Sequence, residues 1–66
     1  MGNNVKIKLI ENFIKEKHLT KSKFCKMCKI DLSTLNKIMA DGENFRITAL
    51  FKIAKVLNIH IYQLFN

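Results

Sequence analysis

Three times in this chain a hydrophobic residue is followed by a helix-capping position and, four residues beyond the cap, by a second hydrophobe. The sets are Leu19, Thr20 and Phe24; Ile30, Asp31 and Leu35; and Ile59, His60 and Leu64. This is the spacing of a hydrophobic staple, in which the apolar pair brackets the first turn of a helix and fixes the angle of entry. Thr20 and Asp31 carry side-chain oxygens that can accept orphan N–H groups at a helix start. His60 is a weaker cap, but Gln63 stands three residues on, where a capping box places its partner.

Helical periodicity fills the intervals. From Val5 to Lys17, the residues Val5, Leu9, Ile10, Phe13 and Ile14 recur at three- and four-residue steps, with Lys6, Lys8, Glu11, Asn12, Lys15 and Glu16 opposite. From Ile47 to Leu57, a second stripe runs through Ile47, Leu50, Phe51, Ala54 and Leu57, and Asn58 follows as a residue that tolerates a left-handed C-cap. The pattern predicts five short helices in an all-α fold. Proline is absent, glycine occurs only at positions 2 and 42, and no Ser- or Gly-rich linker or repeat breaks the chain. With 66 residues and 48% hydrophobic content, residues 1–66 are expected to form one domain around one core. So small a core leaves only a few kcal/mol of net stability, which gives caps and turn residues unusual weight.

Twelve Lys and Arg stand against five Asp and Glu, a net charge of +7 that favours an anionic partner, nucleic acid or membrane surface. Eleven of the twelve are lysine, as a lysine-rich proteome would also give, so charge alone does not choose. No run of about 18 apolar residues is present, and no signal-peptide core follows Met1, so a cytoplasmic protein is expected. Glu11 and Glu16 on the polar face of the first helix argue against a membrane role. His18 and His60 stand apart from any nucleophile or carboxylate at catalytic spacing, so neither an enzyme, a cofactor nor a small-molecule ligand is expected.

Cys25-Lys26-Met27-Cys28 is a CxxC, which half a zinc site or a dithiol would also show. A redox pair would want a strand-turn-helix context, and His18 and His60 lie at spacings unlike a zinc finger. On a helix, positions i and i+3 share a face, here with Phe24, so both thiols are expected in the core and no metal is expected. Met27 and Met39 read as gap-fillers at the core edge.

Between Thr20 and Ala40, two helices are separated by only a few residues around Lys29 and Ile30, which forces the steep crossing of a helix-turn-helix unit. On the second, a step of about 100° per residue puts Leu32, Ser33, Asn36, Lys37 and Ala40 on one side and Leu35 and Ile38 on the other. The first set suits base edges: Asn bonds adenine, Lys reaches guanine, Ser pairs with either, and Leu or Ala touches the thymine methyl. Lys21, Lys23, Lys26 and Lys29 on the preceding helix can hold phosphates. An ordinary solvated face would carry the same residues.

The segments Leu19-Thr20-Lys21-Ser22-Lys23-Phe24-Cys25, Ile30-Asp31-Leu32-Ser33-Thr34-Leu35-Asn36-Lys37-Ile38 and Leu50-Phe51-Lys52-Ile53-Ala54-Lys55-Val56-Leu57-Asn58-Ile59 resemble one family. It is the Cro and phage-repressor type of helix-turn-helix domain, also called the xenobiotic-response-element family. The likeness spans Leu9 to Phe65 and implies a five-helix, lambda-repressor-like fold. It further implies a regulator, most simply a repressor, that binds double-stranded DNA with the helix Leu32–Ala40 in the major groove. Leu32, Ser33, Asn36 and Lys37 would meet bases or their flanks, Lys21 a phosphate at the start of helix two, Arg46 and Asn44 the backbone, and Thr34 a phosphate at the groove edge. With no separate oligomerisation module in view, a homodimer would use the domain itself, with half-sites about 34 Å apart.

The chain departs from the family pattern in places. Lys29 stands where the family usually has Gly, and a left-handed backbone there would cost about 1 kcal/mol or more. Lys21 replaces the usual Gln, Phe45 replaces Pro, and Gly42 sits one place later than the usual loop glycine. The competing reading is a protein-interaction module on the same scaffold, antirepressor or antitoxin-like, using Phe45, Phe65, Tyr62 and Met39.

Overall fold

The computed structural model describes residues 4–43 and 45–65. Four α-helices follow one another: α1 (Ile7–Glu16), α2 (Lys21–Cys28), α3 (Leu32–Asp41) and α4 (Ile47–Leu57); a single 3-10 turn over Ile61–Leu64 comes last. The expected fifth helix is therefore one turn only. After Leu64 the chain extends at Phe65 (φ −104°, ψ 147°) and pairs with Val5 in an isolated antiparallel bridge. That bridge also corrects the expected start of the first helix. Val5 donates its N–H to the Gly42 carbonyl at 2.9 Å and Lys6 donates to Leu64 at 2.6 Å, which ties the segment before α1 to the ends of α3 and the 3-10 turn.

One local device joins the helices at three of the four connections. His18, Lys29 and Asn58 each adopt positive φ, of 54°, 59° and 58°, just after α1, α2 and α4. At each, the left-handed residue and the hydrophobe after it donate back into the last turn: Lys29 to Lys26 at 3.2 Å and Ile30 to Cys25 at 3.0 Å, for example. This is the Schellman arrangement, which satisfies two orphan carbonyls at once. The hydrophobes that follow, Leu19, Ile30 and Ile59, pack against the core and are also the first members of the three staples. A single apolar residue thus ends one helix and starts the next, which keeps each connection short.

The caps differ from one another. Thr20 Oγ1 accepts the Lys23 N–H at 3.1 Å, as expected. Asp31 occupies the N-cap of α3 but its side chain makes no cap hydrogen bond, contrary to its expected role. Gln63 Oε1 accepts the His60 N–H at 2.9 Å, the half of the capping box that compensates for the weak cap.

The second members of the staples, Phe24, Leu35 and Leu64, have no solvent exposure, and with Ile10, Ile38, Leu50 and Ile53 they form the centre of the core. Each such side chain contributes about 1.5–3 kcal/mol by leaving water. Cys25 and Cys28 are free thiols buried beside them. In α4 the buried residues are Ala49, Leu50, Ile53 and Ala54, whereas Ile47 and Phe51 are exposed. The inward face is turned from the expected stripe by somewhat less than one residue step of about 100°, because α4 lies between α2 and the 3-10 turn and must cover both. Met39 packs at the core edge as expected, but Met27 is half exposed.

Candidate nucleic-acid interface

The left-handed Lys29 (φ 59°, ψ 45°) ends α2, and two residues later α3 begins. The start of α3 is held against α2 by the Asp31 carbonyl, which accepts from Leu35 N–H at 3.1 Å and faces Cys25 Sγ at 3.8 Å. With Leu35 and Ile38 locked in the core, the opposite side of α3 must face out. Leu32, Ser33, Asn36, Lys37 and Ala40 are all exposed, and Leu32 leaves 42% of its surface to solvent. The helix thereby offers one acceptor-donor amide, one hydroxyl, one ammonium and two apolar contacts, with no carboxylate among them.

Cationic groups are exposed on the neighbouring helices. Lys21 and Lys23 are exposed on the first turn of α2, and Arg46 is the exposed N-cap of α4. Neither helix has an acidic residue in its first turn, so each positive helix end adds to the charge of the side chains around it. Thr34 is half-buried at the edge of α3. With Lys37, Phe45 and Arg46 it lines a cleft of about 230 Å³ between α3 and the loop before α4. Asn44 lies outside the described residues.

A second, polar cleft continues from Thr34 and Arg46 past Thr48 to Lys29 and Lys52. Thr48 and Lys52 were not singled out in the sequence. They lie four residues apart on the outer side of α4, and only the approach of α4 to the α2–α3 turn brings them beside Thr34. Lys52 Nζ donates to the Lys29 carbonyl at 3.4 Å across that approach.

The thiols do not take part in the interface. Burial, helped by the neighbouring Cys25, pushes the Cys28 thiol up to about 12, and burial with the nearby Asp31 charge raises Cys25 too. In both, burial favours the neutral thiol over the thiolate. Of the residues offered as a protein-docking surface, Phe45 and Phe65 meet as a tilted ring pair with centroids 5.7 Å apart and pack on the core with Met39. Only Tyr62 stands open, 80% exposed beside the His60 ring. No helix among the described residues is long and apolar enough to cross a membrane.

A helix-turn-helix family model matches residues 10–64, from the middle of α1 to the end of the 3-10 turn. No curated protein and no solved structure matches the chain. The match takes in the paired α2 and α3, their outward polar face and the helices that brace them. The chain belongs to the Cro and phage-repressor type of helix-turn-helix family, whose members are DNA-binding transcription regulators.

Proposed function

We propose that this protein is a sequence-specific repressor that lays α3 in the major groove of double-stranded DNA. In this reading Asn36 bonds adenine through its amide, Ser33 and Lys37 reach neighbouring base edges, and Leu32 touches a thymine methyl. Lys21, Lys23, Thr34 and Arg46, with Asn44 beside it, hold phosphates on either side of the groove and set the register. The observation that carries the reading is the outward side of α3, where Leu32, Ser33, Asn36, Lys37 and Ala40 are exposed with no carboxylate among them and Lys37 shares a cleft with Arg46. A sequence reader needs hydrogen-bonding side chains at the centre and positive charge at the rim, in that arrangement.

The protein acts as a homodimer on two half-sites about 34 Å apart, and occupancy of a promoter blocks polymerase. Selection from a pool of random duplexes tests the reading directly. The expected result is one enriched motif, two-fold symmetric, with half-sites about one helical turn apart. Uniform retention of all sequences would contradict specific readout. A motif without symmetry would remove the dimer. Placing the selected motif across a reporter promoter should lower expression, and raised expression would make the protein an activator.

A further inference from the structure

The junction of α2 and α4 forms a groove of about 320 Å³ lined by Met27, Cys28, Lys29, Lys52, Lys55 and Val56. Its volume falls within the range of about 300–1,000 Å³ found for binding pockets. It contains no residue of α3, and its lining has no carboxylate. Its floor is apolar: Met27 is 48% exposed although it sits on a helix whose neighbours Phe24, Cys25 and Cys28 are buried, and Val56 is half-buried opposite. Three lysines form the rim, with Lys52 held in place by the Lys29 carbonyl.

An apolar floor inside a cationic rim selects a particular kind of occupant. A phosphodiester backbone would satisfy the lysines but would leave Met27 and Val56 without apolar contact. An apolar peptide would cover the floor but would desolvate three ammonium groups with no compensating charge. A segment carrying both carboxylates and hydrophobes satisfies both parts, and a flexible thioether adapts readily to such a surface. Another apolar groove, between α1 and the α4 end (Leu9, Phe13, Leu57 and Ile59), has Glu16 on its rim and no cation, so nothing there names a partner. We propose that the α2–α4 groove docks an acidic, apolar segment of a protein partner, with carboxylates on Lys29, Lys52 and Lys55 and hydrophobic side chains on Met27 and Val56.

The test is a titration of the isotope-labelled full chain with a short synthetic amphipathic peptide of glutamate, leucine and alanine. Amide signals of residues 27–29 and 52–56 should move. A companion peptide with serine for leucine should bind about ten-fold more weakly, as should Met27→Glu and Lys55→Glu variants toward the first peptide. Lys55 is exposed on α4, so its variant decides the matter should Met27→Glu fail to fold. The proposal is overturned by absence of binding, by equal binding of the serine peptide, or by shifts centred on Ser33 to Lys37. It is equally overturned if a random-sequence duplex, and not the peptide, moves the Met27 and Val56 signals, since the groove would then carry a DNA backbone. None of these outcomes depends on whether α3 reads a sequence.

Discussion

Lys52 donates its ammonium to the carbonyl of Lys29 at 3.4 Å, so the left-handed residue that ends α2 is also the point where α4 is tied to the helix-turn-helix pair. The bond uses the backbone of Lys29 and leaves its side chain exposed.

The Lys29→Gly substitution should therefore keep the Lys52 bond while relieving the strain of a Cβ at φ 59°. Left-handed backbone costs a non-glycine residue about 1–2 kcal/mol, which exceeds the extra unfolded-state entropy of glycine, about 0.5–1 kcal/mol. A stabilisation of about 0.5–1 kcal/mol is expected by denaturant titration. Asn58→Gly, at φ 58°, should gain less, because asparagine tolerates this conformation better than lysine. A lower denaturant midpoint for Lys29→Gly would refute the strained turn.

Gly42 should be the least replaceable turn residue. It ends α3 at φ 71°, and an added Cβ would meet the Val5 carbonyl oxygen at 3.0 Å, on the same strand segment whose N–H bonds the Gly42 carbonyl. Gly42→Ala should destabilise by about 1–2 kcal/mol and loosen the Val5–Phe65 bridge, seen as lost amide protection at Val5 and Lys6.

Cys28→Ala should lower stability by about 1–2 kcal/mol through lost burial, while a chelator leaves the wild-type melting temperature unchanged. The thiol also makes stability depend on pH. Its pKa rises from 9.0 to about 12 on folding, so the folded state retains a proton that the unfolded state loses. Stability from this group is intact below pH 9 and falls as pH rises toward 12, by up to about 1.4 kcal/mol per unit. Subtracting the alkaline unfolding curve of Cys28→Ala from that of the wild type should isolate this slope, and identical slopes would disprove it.

Contacts to phosphate and to bases should separate on mutation. Lys21→Ala and Arg46→Ala should weaken binding to all duplexes alike and reduce the salt slope by about one each. Asn36→Ala should cost about 1–3 kcal/mol on the selected site only and relax preference at one position. Equal losses on specific and random duplexes for Asn36→Ala and Lys21→Ala would remove the division of roles.

Sequence alone determined the all-helical class, the three staples, the buried Leu35 and Ile38 of α3, the polar face behind them, and the inward cysteines. Those are local facts: periodicity, cap chemistry and staple spacing act within one or two helical turns. It also marked Lys29 as the residue that decides the turn, without deciding its φ. Tertiary structure decided what depends on contacts between distant segments. Val5 lies outside the first helix, its N–H on the Gly42 carbonyl and that of Lys6 on Leu64, and the last helix ends after one turn where Phe65 extends to bridge Val5. The inward face of α4 is rotated because two neighbours must be covered at once, and that rotation leaves Ile47 and Phe51 in solvent. Thr48 and Lys52 join the polar cleft, and Met27 floors a groove, only because α4 crosses α2 where it does. Helical periodicity states which residues share a side; it carries no information about how many neighbours that side will meet.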